Sequence, residues 1–245
     1  MIEKLKNQQE KLIINERHEA WGSLARKLAH EIKNPLTPIQ LTIDRLKNKY
    51  SSQLSEKDKD NFNENLKIIN NQIKQIEKLV NEFSDFARMP KPIFQKNDLA
   101  ELIIENIKLL QELETSIEIK FESNLPIINL ESDKEQLSRV FLNLIKNSIE
   151  SIQQKAQNDN NTNKKIDIEL NDHGDHINLT IIDTGIGFKN LKSNIKDILN
   201  PYFTTKKNGT GLGLSIVNKI INDHNGNIEF IPINNGAKIK IIFKK

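Results

Sequence analysis

The stretch A-H-E-I-K-N-P-L-T-P, at residues 29 to 38, lies within a series of apolar residues spaced three or four apart. That spacing predicts one face of a long helix. The apolar positions of the series are Trp21, Leu24, Leu28, Ile32, Leu36, Ile39, Ile43 and Leu46. After a polar break from Tyr50 to Asp60, the same spacing resumes at Phe62, Leu66, Ile69, Ile73, Ile76, Val80, Phe83 and Phe86. The sequence therefore predicts two long helices joined as a hairpin.

The hairpin is expected to need a partner, because two helices alone bury both apolar stripes poorly. A second copy would complete a four-helix bundle, so we predict a homodimer with the hairpin at residues 21–88. Residues 1–20 predict a helical coiled-coil extension before it. The prolines of M-P-K-P at 89 to 92 end the second helix, and residues 89–97 are expected to form a linker.

Residues 98–245 predict a second domain, because their pattern mixes helical and alternating segments. Helices are expected at Leu99 to Leu113, Lys134 to Gln154 and Gly211 to Asn222. Strands are expected at Ile117 to Phe121, Ile166 to Leu170, Ile177 to Ile182, Ile228 to Ile231 and Ala237 to Phe243. Strands in adjacent hairpins, with helices apart from them, favour a two-layer α+β sandwich. The expected fold class is thus an all-α hairpin followed by an α+β domain.

Composition excludes several classes of function. The chain has 245 residues, a formal charge of +3 and no cysteine. So small a charge gives no reason to expect nucleic acid as a partner, and the lack of cysteine excludes disulfide and thiol chemistry. We find neither a long apolar run nor the apolar core of a signal peptide, so we expect no membrane segment in this chain and a cytoplasmic location.

His30 is the candidate nucleophile of the first helix. It stands two positions from its apolar neighbours on either side, about 200° around a helix, so its imidazole is expected to face solvent. Glu31 can accept a ring N–H and make the other nitrogen more nucleophilic. Asn34, one turn on, can orient a water or a phosphoryl oxygen. Read alone, the motif is more often an incidental histidine on a solvated helix face, and the H-E-x-x-H zinc pattern is absent.

The remaining histidines lack such a context, and we interpret them as incidental to function. They are His18, His173, His176 and His224. His173 and His176 flank a glycine in an expected turn and are weak candidates for metal ligands.

Three further segments predict a nucleotide site: N-L-I-K-N at 143 to 147, D-T-G-I-G at 183 to 187 and G-T-G-L-G-L at 209 to 214. Asn143 and Asn147 share one helix face, and an amide oxygen suits Mg²⁺ beside a triphosphate. The alternative is a polar face in an Asn-rich protein. Asp183 ends an apolar strand and can accept the exocyclic amine of adenine, although D-x-G-x-G can also be an ordinary turn.

The last segment opens an amphipathic helix, whose free N–H groups and dipole suit phosphates. It is neither a Rossmann fingerprint nor a Walker loop, which would need a different pattern. The polar residues between the two glycine segments predict a mobile lid. Lys206 of that lid is the expected phosphate contact, and a solvated lysine is the alternative.

With these residues in view, the chain resembles the transmitter region of two-component sensor histidine kinases, NtrY-like more than NtrB-like within the nitrogen-regulation group. The resemblance extends to F-S-D-F-A-R-M-P-K-P at 83 to 92 and P-Y-F-T-T-K at 201 to 206. It implies a dimerisation and phosphoacceptor hairpin, followed by an ATP-binding domain of the gyrase, Hsp90, kinase and MutL type. Thr184, Leu199 and Asn200 depart from the family pattern and leave the packing of the lid in question.

The resemblance also implies residue roles. His30 would be phosphorylated, Glu31 would act as the base and Asn34 would serve a phosphatase reaction, while Asn147 would hold Mg²⁺. The residues expected to bind ATP are Asn143, Lys146, Asn147, Asp183, Gly185, Gly187, Thr205, Lys206, Gly209, Thr210, Gly211, Leu212 and Gly213.

The expected function is that of a protein-histidine kinase, which phosphorylates His30 from ATP and passes the group to an aspartate in the receiver domain of an NtrX- or NtrC-like response regulator. One alternative is an ATP-gated conformational clamp that hydrolyses ATP without forming a phosphoprotein. Another is a phosphatase-dominant scaffold, which would depend on Asn34 rather than on Asp183. The family's sensory and membrane-spanning parts are missing, so we expect either a fragment of a membrane-anchored sensor or a short soluble form.

Overall fold

The computed structural model describes residues 27–87, 89–159, 163–188, 195–206 and 209–245. The expected N-terminal extension lies outside them. The chain divides into two compact units, with the boundary at Pro90. The first unit holds the described residues up to that proline together with Lys206, Gly209 and Thr210, and the second holds those of 91–205 and 211–245.

The first unit contains the predicted hairpin. Helix α1 is described over residues 27–50 and continues through Pro35 and Pro38, and α2 spans Glu56–Ala87. The polar break is shorter than the sequence suggested, because Ser55 caps α2. Its hydroxyl oxygen accepts the Asp58 backbone N–H at 3.3 Å, and its own O–H donates to the Asp58 carboxylate at 2.5 Å.

The apolar stripe of each helix splits into two seams. The buried seam packs α1 on α2 and contains Ala29, Leu36, Ile43, Leu66, Ile73 and Val80. The open seam is between 38% and 45% exposed and contains Leu28, Ile32, Ile39, Leu46, Ile69 and Ile76. Both seams use heptad-related positions, which is the pattern of helices that pack on more than one neighbour. A single chain therefore leaves part of the predicted apolar stripe uncovered.

The second unit contains the remaining elements. Its strands are β1 (Gln95–Asp98), β2 (Glu118–Ser123), β3 (Asn129–Ser132), β4 (Lys165–Asp172), β5 (His176–Asp183), β6 (Gly226–Pro232) and β7 (Ala237–Lys244). Its helices are α3 (Leu99–Leu113), α4 (Lys134–Asn158) and α5 (Gly213–Asp223), with a 3-10 helix at Ile195–Leu199.

Five strands form one mixed sheet in the order β2-β4-β5-β7-β6. Only β2 and β4 are parallel, and the other neighbours are antiparallel. Alternate residues of β4, such as Ile166, Ile168 and Leu170, are buried, and α3, α4 and α5 pack against the sheet. This confirms the predicted α+β sandwich. The register pairs Asp183, at the end of β5, with Ile166 and Ala237 on either side.

Two features of this unit were not predicted. The short strands β1 and β3 form a separate antiparallel pair, although their sequences, Q-K-N-D and N-L-E-S, lack an apolar alternation. Asp98 explains the local geometry, because its Oδ1 accepts the backbone N–H groups of Ala100 and Ile128, each at 3.0 Å. The second feature is the 3-10 helix in the expected lid. No helix in the described part of the chain is long and apolar enough to cross a bilayer.

Candidate functional site

Helix α4 is the platform of the candidate nucleotide site. It begins at the N-cap Asp133, whose Oδ1 accepts the Gln136 backbone N–H at 3.0 Å. Asn143, Asn147, Ser151 and Lys155 then recur every four residues. A four-residue repeat places these polar side chains along one face of the helix.

Asp183 is 4% exposed at the end of β5. Its Oδ1 accepts the Gly185 backbone N–H at 2.9 Å, and its Oδ2 accepts the Ser148 hydroxyl at 3.2 Å. Burial raises the pKa of this carboxyl above its ordinary value, although the hydrogen bonds from Gly185 and Ser148 act in the opposite direction. Each carboxylate oxygen can accept more than one donor. Asp183 therefore keeps capacity for a further donor such as an exocyclic amine.

The D-T-G-I-G turn is packed tightly on α4. The Ile186 backbone N–H donates to Ser151 Oγ at 3.1 Å. A Cβ at Gly185 would lie 2.1 Å from the same Oγ, so no larger residue fits there without displacing Ser151. The glycine thus lets the turn approach the helix.

The turn between β6 and β7 also packs closely against the D-T-G-I-G turn. A Cβ at Gly236, where φ is +107°, would lie 1.7 Å from the Asp183 carbonyl oxygen. A Cβ at Gly187 would lie 2.1 Å from the Gly236 carbonyl oxygen. Lys155 joins the two turns, since its Nζ donates to the Thr184 carbonyl at 2.9 Å and to the Asn235 side chain.

Sequence reasoning missed Ser148, Ser151, Lys155 and Gly236. Ser151 and Lys155 could have been suspected, because they continue the polar positions of α4 at four-residue spacing beyond Asn147. Ser148 lies off that repeat and is buried. Gly236 carried no such signal, since a glycine in an N-N-G turn is ordinary in a β-hairpin.

We expect Gly236→Ala to weaken nucleotide binding and lower the melting temperature, because the new methyl group would collide with the Asp183 backbone. Gly174→Ala is the matched control, since Gly174 also has a positive φ, +91°, but nothing lies within 4 Å of its would-be Cβ. The control should lose only the stability that the strained backbone costs. Gly236→Ala should lose about 1–3 kcal/mol more, because of the steric overlap. Calorimetry and the affinity for a fluorescent ATP analogue test this. Equal losses in the two variants would contradict it.

The second glycine segment meets α4 at Asn143. A Cβ at Gly213, the first residue of α5, would lie 3.1 Å from Asn143 Oδ1, while Asn143 Nδ2 donates to the Arg139 carbonyl at 2.8 Å. At Gly211, where φ is +70°, a Cβ would lie 2.4 Å from the Tyr202 carbonyl carbon. The Tyr202 N–H donates to the Gly211 carbonyl at 3.1 Å, so the later part of the lid segment is tied to the second glycine segment.

For the other predicted ATP-binding residues, the structure gives burial and position. Leu212 is fully buried. Lys146 is exposed on α4 and Asn147 is half-buried, while Thr205 is exposed. Lys206, Gly209 and Thr210 group with the helical unit. Their role in binding ATP stays a prediction.

His30, Glu31 and Asn34 are all exposed on α1, as the phase of the helix predicts. An exposed imidazole is open to a reaction partner. In the described part of the chain, the His30 ring makes no hydrogen bond to Glu31. The base role of Glu31 and the phosphatase role of Asn34 therefore stay predictions.

A groove of about 850 Å³ runs along the first half of α4. Arg139, Asn143 and Lys146 line it, together with Ile93 of the linker. Asp183 is not among the described residues that line this groove, so the groove overlaps the candidate site only at the N-L-I-K-N segment.

The described residues hold no group of three His, Cys, Asp or Glu side chains suited to a metal ion. The rings of His173 and His176 stack with centroids 4.8 Å apart, and His176 Nδ1 lies 2.6 Å from an Asp175 carboxylate oxygen. A magnesium ion that arrives with ATP needs few protein ligands, because phosphates and water supply most of its oxygens. Asn147 fits that requirement, because it is half-buried and lies on the same face of α4 as Asn143 and Ser151.

Comparison with known proteins divides the chain in the same way. Residues 20–92 match the family model described as the His Kinase A (phospho-acceptor) domain. Residues 132–245 match the model described as the histidine kinase-, DNA gyrase B-, and HSP90-like ATPase.

Among curated proteins, the nitrogen regulation protein NtrY of Azorhizobium caulinodans is 38% identical over 236 residues, which are 95% of this chain and 30% of that protein. A putative sensor histidine kinase, NtrY-like, of Rickettsia felis is 38% identical over 226 residues, 92% of this chain and 36% of the relative. The chain thus spans about a third of the length of these relatives.

Among solved structures, the catalytic domain of histidine kinase ThkA is 30% identical, with a TM-score of 0.52, and the match covers 62% of this chain and 96% of that one. The structure of ThkA in complex with the response regulator protein TrrA matches at 27% identity and a TM-score of 0.64. That match covers 99% of this chain and 67% of the other.

Proposed function

The chain belongs to the sensor histidine kinases, and on that premise we propose that it phosphorylates His30 from ATP and passes the phosphoryl group to an aspartate of a response regulator. The observation that carries the proposal is the coexistence of two features. One is the exposed His30 on a helix of the phosphoacceptor region. The other is the buried Asp183 in a glycine turn that is packed on α4.

The nucleotide part of the proposal rests on chemical complementarity. The Asp183 carboxylate accepts the exocyclic amine of adenine, and Gly185 and Gly187 let the backbone approach the base. Asn143 lies beside Gly213, so its amide is close to the first turn of α5, whose backbone N–H groups suit phosphates. The proposed magnesium ligand is Asn147, where the ion would neutralise charge on the phosphates.

In the proposed reaction, the lone pair of one His30 ring nitrogen attacks the γ-phosphorus of ATP. The bond from that phosphorus to the β–γ bridging oxygen breaks, and ADP leaves. Glu31 takes the proton from the other ring nitrogen, so the imidazole ring of the product is uncharged and the transferred phosphoryl group keeps its negative charge. Catalysis is chiefly positioning and charge neutralisation, to which we assign Lys206 and the backbone N–H groups of the glycine segment.

The direct test is incubation of the chain with γ-labelled ATP and Mg²⁺. Phosphohistidine is labile in acid and stable in alkali, so the proposal predicts labelled protein with that stability profile. Release of labelled phosphate with no labelled protein at any time would favour the clamp ATPase and contradict the proposal.

We assign the acceptor to a receiver domain of the NtrX or NtrC type. This is supported by the similarity to NtrY proteins and by the solved complex of the similar kinase ThkA with a response regulator. Transfer of label from phosphorylated chain to purified receiver domains of different groups would measure the preference.

The open seam supports a homodimer, because a second copy would cover apolar side chains that one chain leaves exposed. We expect Ile39→Glu to raise the dimer dissociation constant about a hundredfold or more, since the interface would bury two glutamate charges, one from each copy. Leu41→Glu is the matched control: Leu41 is 54% exposed and lies about 200° around α1 from Ile39. Light scattering during gel filtration, at several dilutions, measures both. A stable Ile39→Glu dimer would contradict the assignment, as would equal dissociation of both variants.

A further inference from the structure

His224 was interpreted from the sequence as incidental, but the structure gives it specific partners. It is 4% exposed at the C-terminal end of α5. Its Nδ1 lies 2.8 Å from the Ile220 carbonyl oxygen, and its Nε2 accepts the Asp133 backbone N–H at 3.0 Å. A carbonyl oxygen only accepts hydrogen bonds, so the ring proton lies on Nδ1 and the lone pair on Nε2. Both ring nitrogens are therefore used, each in a defined role.

The linker reaches the second unit at the same point. The Ile93 backbone N–H donates to Asp133 Oδ2 at 2.8 Å, and the Phe94 ring meets the His224 ring edge-on with centroids 5.2 Å apart. Ile93 is 72% exposed and Phe94 is 45% exposed, so these two residues have little other cover. From Gln95 onward the chain is held by the pairing of β1 with β3.

Asp133 also ties this contact to the helices of the candidate site. It is the N-cap of α4, and its partner His224 is the C-cap of α5. The adenine contact is distant, because Ser148 lies 15 residues along α4 from Asp133, or about 22 Å at the usual helical rise. A change at His224 can therefore move the linker without touching the residues around Asp183.

We propose that His224 is a positioning residue for phosphoryl transfer. By binding Asp133 and packing on Phe94, it fixes the path of linker residues Ile93 and Phe94, through which the chain connects the ATP-binding unit to the helical hairpin that carries His30. This inference rests on the proposed function. Because transfer to an imidazole depends on positioning, loosening the linker lowers the rate of transfer and leaves the affinity for ATP unchanged.

The test compares His224→Phe with His224→Gln in the full chain. Phenylalanine keeps a ring against Phe94 but has no polar atom, whereas the glutamine amide oxygen can again accept the Asp133 N–H. Single-turnover labelling at saturating γ-labelled ATP should be about tenfold or more slower for His224→Phe and largely restored in His224→Gln. Affinity for a fluorescent ATP analogue should change less than about twofold in both. Hydrogen exchange at the Ile93 amide should be faster in His224→Phe only.

A normal transfer rate in His224→Phe would overturn the proposal. So would a parallel loss of ATP affinity, or equal damage in His224→Gln, because each indicates a role in folding alone. Should His224→Phe fail to fold, Phe94→Leu replaces it at a half-exposed position, and faster Ile93 exchange with slower transfer is again expected. If the unaltered chain takes up no label, the proposed function fails, while Ile93 exchange still decides whether His224 holds the linker.

Discussion

We expect His30→Gln to take up no phosphate from γ-labelled ATP while it binds ATP as tightly as the unaltered chain. Glutamine is similar in size to histidine and is tolerated in helices, but its amide nitrogen has no free lone pair with which to attack phosphorus. His30 is exposed on α1, so the substitution disturbs no packing. Labelling with γ-labelled ATP, and titration with a fluorescent ATP analogue, measure the two properties separately.

His176→Gln is the matched control, because His176 belongs to the β4–β5 hairpin and is not part of the proposed reaction. It should label normally. Acid-labile phosphate on the His30→Gln chain would show that another residue is the acceptor. Loss of labelling in the His176 control as well would mean that the experiment reports general damage.

Asp183→Asn should weaken ATP binding about ten- to hundredfold without lowering the melting temperature at neutral pH. The amide would present an N–H to the adenine amine where the carboxylate presents an acceptor. Folding should not suffer, because the amide oxygen can still accept the Gly185 N–H and the Ser148 hydroxyl can turn to accept from the new N–H.

The pH dependence of stability should distinguish the unaltered chain from Asp183→Asn. Burial raises the pKa of Asp183 in the folded state, so between the ordinary and the raised pKa the folded chain binds more protons than the unfolded chain. Its contribution to the free energy of unfolding therefore falls as the pH rises through that window. Asp183→Asn lacks this term, so its advantage in melting temperature should be largest at neutral pH and shrink on acidification. ATP binding by the unaltered chain should weaken as the pH falls through the same window, because protonation removes the acceptor for the adenine amine.

Ser148→Ala provides a control for the carboxylate, because it removes one hydrogen bond from Asp183 and keeps the charge. It should weaken ATP binding less than Asp183→Asn does. A fall in melting temperature for Asp183→Asn at neutral pH would show that the folded chain stabilises the Asp183 carboxylate by more than its hydrogen bonds to Gly185 and Ser148. Unchanged ATP affinity would remove Asp183 from the site.

Much of the fold could be predicted because local signals agree with the tertiary structure. Helices α3 and α4 begin at the predicted residues, since Asp98 and Asp133 cap them immediately before apolar periodic segments. The strands β4 and β5 follow from alternation around a glycine turn. Strands β1 and β3 could not be predicted, because their polar sequences lack an apolar alternation. They are strands only through their pairing with each other in the folded chain.

The residues that were missed depend on contacts between distant segments. His224 accepts a hydrogen bond from Asp133, which is 91 residues away in the sequence. Gly236 resembles any turn glycine until the Asp183 backbone is placed against it. Helical periodicity likewise predicted one apolar stripe, but it cannot show which positions face the other helix of the hairpin and which face outward.

Because of the open seam, the stability of the helical unit should depend on the concentration of the protein. A helix pair that completes its hydrophobic interior only by meeting another copy is stabilised by mass action, so its melting point rises with protein concentration. The sandwich has a complete interior of its own and should melt independently of dilution. In a cell that makes few copies, ATP could then be bound by a folded sandwich whose own histidine-bearing helices are not yet assembled.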